Sequence, residues 1–382
     1  MNNPIRVLML TTNSSLIDGI NRHILNVCTE LTKRNDIKVG VCIVNSKGEL
    51  HEELKKNDVE VFSLGYRNGH ALGIFSKFRK VIKEFNPDII HSHVMAMNER
   101  IYLSLFGGKI KFASTIHGIA DPKPNVSWRD RLERKINRRF KINQSAVCYI
   151  SNGVKEALDD DYKSEIIKEV IYNPIDFENA PKRNHLLHDM LNISHSTPII
   201  GTACRMADQK YPEAFTSVLC ETLKNYPQVH AVVIGTGDEN LTKRCKAIVE
   251  SYNVSERFHW IGYQKNAPEL IAGLSCFVMT SHCEGLPTSV LESITAHTPV
   301  AMLEGEGGLK DIVAISSPEK PIVLHSPKGD WSGLSKQIGS LLQDKDLSDK
   351  MAENAFEVGK ENFSVSSIAY KLINLYKSIA CR

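Results

Sequence analysis

The sequence predicts an α/β protein built from two doubly wound parallel sheets, each in its own domain, facing a central cleft. Three observations carry this expectation. The chain has 382 residues, too many for one ordinary domain and enough for two of about 190. Short apolar runs alternate with helical patterns from end to end, the signature of βαβ units. Near the middle, Asp176 to Thr197 has mixed charge, three histidines and Pro181, and breaks that alternation.

In the first half the apolar runs place strands at 5–10, 37–44, 59–64, 88–92, 111–116, 146–150 and 168–172. Helical spacing fills 20–34, 49–56, 72–85, 97–106, 127–143 and 152–159 between them. In the second half, strands fall near 198–203, 229–234, 257–261, 275–279 and 299–303, with helices near 211–225, 239–252, 266–272 and 288–296. A short helix is expected at 184–191. Ile368, Leu372, Leu375 and Tyr376 share one face of a last helix, 366–379. That face packs back across the domain junction or simply on its own domain. The expected limits are 1–178 for the first domain, 179–197 for a linker, 198–364 for the second domain and 365–382 for the terminal helix.

Composition excludes several functions. Hydrophobic residues at 42% and charged residues at 24% are those of an ordinary globular chain. A net charge of +3 argues against nucleic acid as a partner. The nine cysteines contain no C-x-x-C, and Cys42, Cys148 and Cys276 lie in apolar strands. They read as reduced core thiols of a cytoplasmic protein. No run approaches the roughly 18 apolar residues of a membrane span, and the chain enters its first strand without a signal segment.

The chemistry concentrates in SHCEGLPTSVLESITAHTP, residues 281–299. Glu284 and Glu292 bracket a turn between a buried strand and a helix that Thr288 or Ser289 would cap. Unpaired N–H groups at such a helix start attract phosphate. A carboxylate beside that phosphate makes sense as an acceptor for hydroxyls, as on ribose or another sugar. Neutralising a diphosphate needs cations, and IIGTACRMADQKYPEAF supplies Arg205 and Lys210 at the carboxyl end of a strand. Ligands of doubly wound sheets gather at that rim.

E-x7-E after one strand and R-x4-K after an earlier one resemble the family 4 retaining glycosyltransferases. DGINRHILNVCTEL, DIIHSH, STIHG, SNGV, VIYNPID and VVIGTGDE match that family in order and spacing over most of the chain. The resemblance implies two Rossmann-like domains in the glycosyltransferase-B fold, an acceptor domain followed by a donor domain. It implies that Arg205 and Lys210 bind the donor diphosphate, Glu292 the ribose and Glu284 the transferred sugar. Backbone amides around Gly285, Leu286 and Thr288 would touch sugar and phosphate. His117 would lie beneath the sugar, and Gly19 would let backbone approach the phosphate. His91, His93 and Asn173 are the acceptor-side candidates.

The match has departures. Asp18-Gly19 stands where the family has a glycine pair, Tyr211 where it has glycine, and Leu286-Pro287 where it reads F-G. Pro287 has no N–H to donate. These leave the donor sugar open.

Plainer readings compete. Two glutamates eight apart are commonly solvated on a helix; Arg205, Lys210 and the strand-turn-helix setting favour the donor site. His117 alone would read as structural. Asp159-Asp160-Asp161 contains D-x-D but follows a helix, so no metal and no resident cofactor are expected. Residues 123–141 carry eight Lys/Arg against two acids, with Trp128, Leu132, Ile136 and Phe140 on one stripe. This is a surface helix packed on its sheet, or a helix meeting an anionic membrane or acceptor. The combined expectation is a metal-independent hexosyltransferase using a UDP-sugar and a glycan or lipid-linked acceptor in surface-polysaccharide or lipopolysaccharide synthesis. It would be cytoplasmic, peripheral on the inner face of the cell membrane. A nucleotide-sugar 2-epimerase of the same fold and a non-catalytic scaffold are the alternatives.

Overall fold

The computed structural model describes residues 3–45, 47–67, 73–118, 142–161 and 165–381. Its contacts divide into two units, residues 1–174 with 365–382, and residues 175–364.

Unit 1 carries β1 (Ile5–Thr11), α1 (Gly19–Thr32), β2 (Ile37–Ile43), α2 (Glu49–Lys56), β3 (Glu60–Ser63), α3 (Gly73–Phe85) and β4 (Ile89–Ser92). It continues with α4 (Met97–Phe106), β5 (Lys111–Ile116), β6 (Ala146–Tyr149), α5 (Asn152–Leu158) and β7 (Ile167–Val170). All seven strands pair in parallel in the order β3-β2-β1-β4-β5-β6-β7. Helices cover both faces of such a sheet, so its strands are apolar throughout. Val7 to Leu10 are fully buried accordingly.

Unit 2 begins with α6 (Leu186–Leu191), β8 (Ile199–Ala203), α7 (Pro212–Asn225), β9 (His230–Ile234), α8 (Glu239–Ser251) and β10 (Phe258–Gly262). There follow α9 (Ala267–Ile271), β11 (Cys276–Met279), β12 (Cys283–Glu284), α10 (Thr288–Thr295), β13 (Val300–Leu303), β14 (Glu306–Gly307) and α11 (Gly308–Ile315). β15 (Leu324–Ser326), α12 (Trp331–Gln343) and α13 (Lys345–Phe363) close the unit. Its main sheet runs β10-β9-β8-β11-β13-β15, while β12 and β14 form a separate parallel pair. Both sheets reverse direction beside their first strand, the crevice-forming point of doubly wound folds.

The terminal helix α14 (Val365–Ala380) belongs to unit 1, where it packs on α1 and β1. Ile368, Leu372, Leu375 and Tyr376, the stripe read from the sequence, are all buried.

The expected linker at 179–197 is corrected. These residues are built into unit 2: Arg183 donates to the Leu274 carbonyl, Asn184 Nδ2 to that of Glu269 at 2.8 Å, and Leu187 is fully buried. Mixed charge there reflects an exposed surface on an integral segment. Of the expected helix at 127–143, residues 127–141 lie outside the described residues, as does the rest of the basic segment 123–141; residues 142–145 are not helical. No described helix is long and apolar enough to cross a membrane. None of the nine cysteines, all among the described residues, forms a disulfide, and burial pushes Cys148 and Cys276 up to about 12.

Candidate functional site

In unit 2 the loop after β8 carries Arg205. Its backbone is pinned by the loop after β9: Cys204 N–H donates to the Ile234 carbonyl (3.0 Å), Met206 N–H to Thr236 (3.0 Å), and Asp238 N–H to Met206 (2.8 Å). Only glycine permits this approach. Gly235 has φ +137°, and a Cβ there would stand 1.9 Å from the Cys204 carbonyl oxygen. The VVIGTGDE stretch therefore positions the arginine loop, while the Arg205 side chain is exposed. A single 3-10 turn, Asp208–Lys210, follows. Tyr211 then takes φ +51°, the left-handed region that suits glycine. Its ring stacks on His282 with centroids 4.1 Å apart, a contact that helps offset the strain.

The glutamate loop is fixed from two sides. On one, His282 N–H donates to the Gln209 carbonyl (2.9 Å) and Gln209 Nε2 donates to the Cys283 carbonyl (2.7 Å). On the other, β12 pairs with β14, where Gly307 at φ +69° leaves no room for a side chain: its Cβ would lie 2.1 Å from the Glu284 carbonyl oxygen. Glu284 is 7% exposed, and its side chain ion-pairs with Lys210 through Oε1 and Nζ.

Gly285 follows, half-buried, and Leu286 is drawn into the core. The helix cap consequently falls on Pro287, whose side chain makes no capping bond; the expected cap by Thr288 or Ser289 is corrected. Exposed Thr288 is the first residue of α10, and half-buried Glu292 stands one turn further on. The first-turn N–H groups of Thr288 and Ser289 precede the helical ladder, which starts with Val290 and Leu291 bonding to the Pro287 carbonyl.

In unit 1 the strand ends of β4 and β5 deliver His91, His93 and His117, and α1 adds His23. His93 Nδ1 lies 2.9 Å from His117 Nε2. His91 stacks on His93 (4.7 Å, 25°) and is bonded at both nitrogens, to Tyr376 Oη and Thr115 Oγ1, each at 2.7 Å. His23 Nδ1 lies 3.0 Å from Asn173 Oδ1, which fixes that nitrogen as the donor. Burial lowers the histidines, His23 to about 4 and His91 to about 3, with His93 and His117 well below their ordinary value, so all four are neutral. Gly19 opens α1 behind Asp18, whose carboxylate accepts from Ile20 N–H; the space beside Gly19 is open.

The fold therefore gathers Lys210 with Glu284 in unit 2, and His91, His93, His117 and Asn173 in unit 1. Sequence reasoning passed over Gln209, His282, the Gly305–Gly308 turn, His23 and Tyr376. The glycine cluster GEGG was a visible signal; the Tyr376 hydroxyl gave none, because the ring sits in an apolar stripe. Asp159 is engaged by Lys168 Nζ (3.0 Å) and the Tyr149 hydroxyl (3.2 Å). Among the described residues no group of His, Cys, Asp or Glu side chains is arranged to hold a metal.

Comparison with known proteins gives two family matches that together span most of the chain. Residues 17–179 match "Glycosyltransferase Family 4", and residues 186–358 match "Glycosyl transferases group 1". The chain is 24% identical to N-acetyl-alpha-D-glucosaminyl L-malate synthase of Bacillus anthracis, over 81% of this chain and 80% of that one. It is 26% identical to N,N'-diacetylbacillosaminyl-diphospho-undecaprenol alpha-1,3-N-acetylgalactosaminyltransferase of Campylobacter jejuni, over 80% and 81%. Against a glycosyltransferase of Methanocaldococcus jannaschii it is 22% identical and spans 60% of that protein's length. Among solved structures, HepE of Anabaena in complex with UDP and glucose superposes with a TM-score of 0.74 at 18% identity, covering 98% of this chain and 100% of that one. That likeness speaks to the fold alone.

Proposed function

This chain is a member of the family 4 glycosyltransferases, with the glycosyltransferase-B fold, and from that premise we propose that it is a retaining, metal-independent hexosyltransferase. It would move a hexose or N-acetylhexosamine from a UDP-sugar to a hydroxyl of a glycan or lipid-linked acceptor, in surface-polysaccharide or lipopolysaccharide synthesis. The observation that carries this reading is the meeting of Lys210 and Glu284, 74 residues apart in sequence, on the rim of one parallel sheet. A cation and an acid held there beside the start of α10 are the grips a sugar diphosphate needs.

On this reading Lys210 turns from Glu284 to the diphosphate, which frees the carboxylate to accept from sugar hydroxyls. Arg205 adds a planar fork of donors suited to phosphate. Together with the N–H groups that open α10, these cations stabilise the leaving diphosphate, an electrostatic lowering of the barrier. The countercharge comes from the protein, so no metal or other cofactor is called for. Glu292 takes the ribose hydroxyls, and Gly285, Leu286 and Thr288 offer backbone. His117 contacts the sugar. The departing phosphate oxygen takes the acceptor proton, and the acceptor attacks from the face the diphosphate leaves, so the anomeric configuration is kept. The basic segment 123–141 supports a place at an anionic membrane face.

The test is incubation with a panel of UDP-hexoses and UDP-N-acetylhexosamines, with polyprenyl-diphosphate-linked and soluble hydroxyl acceptors, followed by NMR of the anomeric proton. The expected product keeps the donor's configuration and appears only with acceptor. An inverted product overturns retention; interconversion of epimers without acceptor identifies an epimerase instead.

A further inference from the structure

We infer that His93 and Tyr376 are positioning residues that hold His117 in one orientation and one tautomer, through a buried column running from the terminal helix to the end of β5. The inference rests on the reading of His117 as a substrate contact and extends it to Tyr376, which has no assigned role, and to His93, read from the sequence only as an acceptor-side candidate.

The column has four members. At its base Tyr376, on α14, is fully buried and sends its hydroxyl to His91 Nδ1 (2.7 Å). Thr115 Oγ1 holds the opposite nitrogen of His91 at the same distance, so that ring cannot turn. His93 lies on the His91 ring with centroids 4.7 Å apart and planes 25° from parallel. His93 Nδ1 then meets His117 Nε2 at 2.9 Å. His23, anchored by Asn173, walls the pair from the side: its ring is 4.9 Å from His93 and edge-on to His117 at 5.4 Å.

The last contact decides what His117 can do. Two neutral imidazoles sharing a hydrogen bond have one proton between the two facing nitrogens. If His93 Nδ1 carries it, His117 Nε2 is bare and His117 Nδ1 bears the N–H. If His117 Nε2 carries it, His117 Nδ1 is a lone pair. His117 Nδ1 has no hydrogen-bond partner among the described residues, so it is the atom left for a substrate. Whether that atom donates or accepts is therefore coupled to the tautomer of His93. The stack on His91 passes no proton, but it fixes where the His93 ring sits, and Tyr376 fixes His91. A residue on the C-terminal helix thus bears on the side chain that follows β5 through two intervening imidazole rings and no charged group.

The experiment uses the full chain with 15N-labelled histidine. Long-range 15N–1H spectra report which ring nitrogen of His117 bears the proton, assigned by His117→Gln, without need of nucleotide. The wild-type chain is expected to show one His117 tautomer. His93→Leu should give a mixture of both, and Tyr376→Phe, which loses only the hydroxyl, a partial mixture; His93→Asn, which restores a polar group near the Nδ1 position, should return His117 toward one form. Turnover over the UDP-sugar panel should fall at least tenfold in kcat for His93→Leu, with KM within twofold and partial recovery in His93→Asn. Freely exchanging tautomers in the wild-type chain, or an unchanged His117 pattern in folded His93→Leu and Tyr376→Phe chains, overturns the inference. So does full activity in His93→Leu. Full activity in His117→Gln instead removes the substrate contact on which the inference rests, and the spectra still decide whether the column holds the ring.

Discussion

Lys210 and Glu284 neutralise each other in a largely buried setting, where either charge alone would be costly. Glu99 is the contrasting residue. It is fully buried at the start of α4, accepts one bond from Ala96 N–H at 2.7 Å, and leaves Oε1 without a partner among the described residues. Burial raises its carboxyl from an ordinary 4.5 to about 8. The folded chain holds a proton there that the unfolded chain has lost, so the stability tied to Glu99 is full below about pH 4.5 and drains away as pH rises through about 8. Glu99→Gln keeps the capping acceptor and cannot ionise. It should stabilise unit 1 at pH 9 by about 1–3 kcal/mol and do less at pH 6, where only part of that loss has accumulated, as read by urea unfolding; equal effects at both pH values would refute the assignment. At this scale the sequence made the acids and cations of residues 205–292 visible, because their spacing is local to two strand ends. His23 and Tyr376 were hidden, because each takes its part from a partner at least 150 residues away, Asn173 for one and His91 for the other.

The element that most constrains the glutamate loop is the two-residue ladder of β12 and β14. Gly307 combines φ +69° with backbone contact to Glu284, so Gly307→Ala must strain the turn or push β12 outward. The expected cost is about 1–3 kcal/mol of unit 2 stability, with weakened UDP binding from the displaced loop. A thermal midpoint and UDP affinity both unchanged would show that the turn tolerates a side chain. Such a ladder is too short to leave an alternating pattern, which is why its pairing was not legible in the sequence. The helix α12 was missed for another reason. Gly333 and Gly339 lower its intrinsic propensity, yet a Cβ at Gly339 would fall 2.1 Å from the Tyr226 hydroxyl, so close packing of the fold calls for glycine there. Long strands such as β1 and β2 were legible throughout, since burial on both faces leaves continuous apolar runs.

For the molecule as a whole, acid is the weak direction. His23 and His91 are held neutral by burial, with folded values of about 4 and 3 against an ordinary 6.5. The unfolded chain therefore binds protons first as pH falls below about 6.5, and stability declines from there toward pH 3. Hydrogen exchange should reveal unit 1 amides opening faster at pH 5 than at pH 7, after correction for intrinsic rates, with unit 2 changing less; equal changes in both units would count against it. The two-domain plan was plain from length and alternation, but its exact division was not, because composition marks an exposed segment and says nothing of which core that segment joins. Whether the chain uses a nucleotide sugar turns on the strand-end rim of unit 2. Titration calorimetry of UDP into the wild-type chain, Lys210→Ala and Glu292→Ala decides it. We predict one site in the wild type and affinities at least about tenfold weaker in each variant, the loss of a charge-assisted bond. Equal affinity in all three proteins, or no binding to the wild type, would contradict the account.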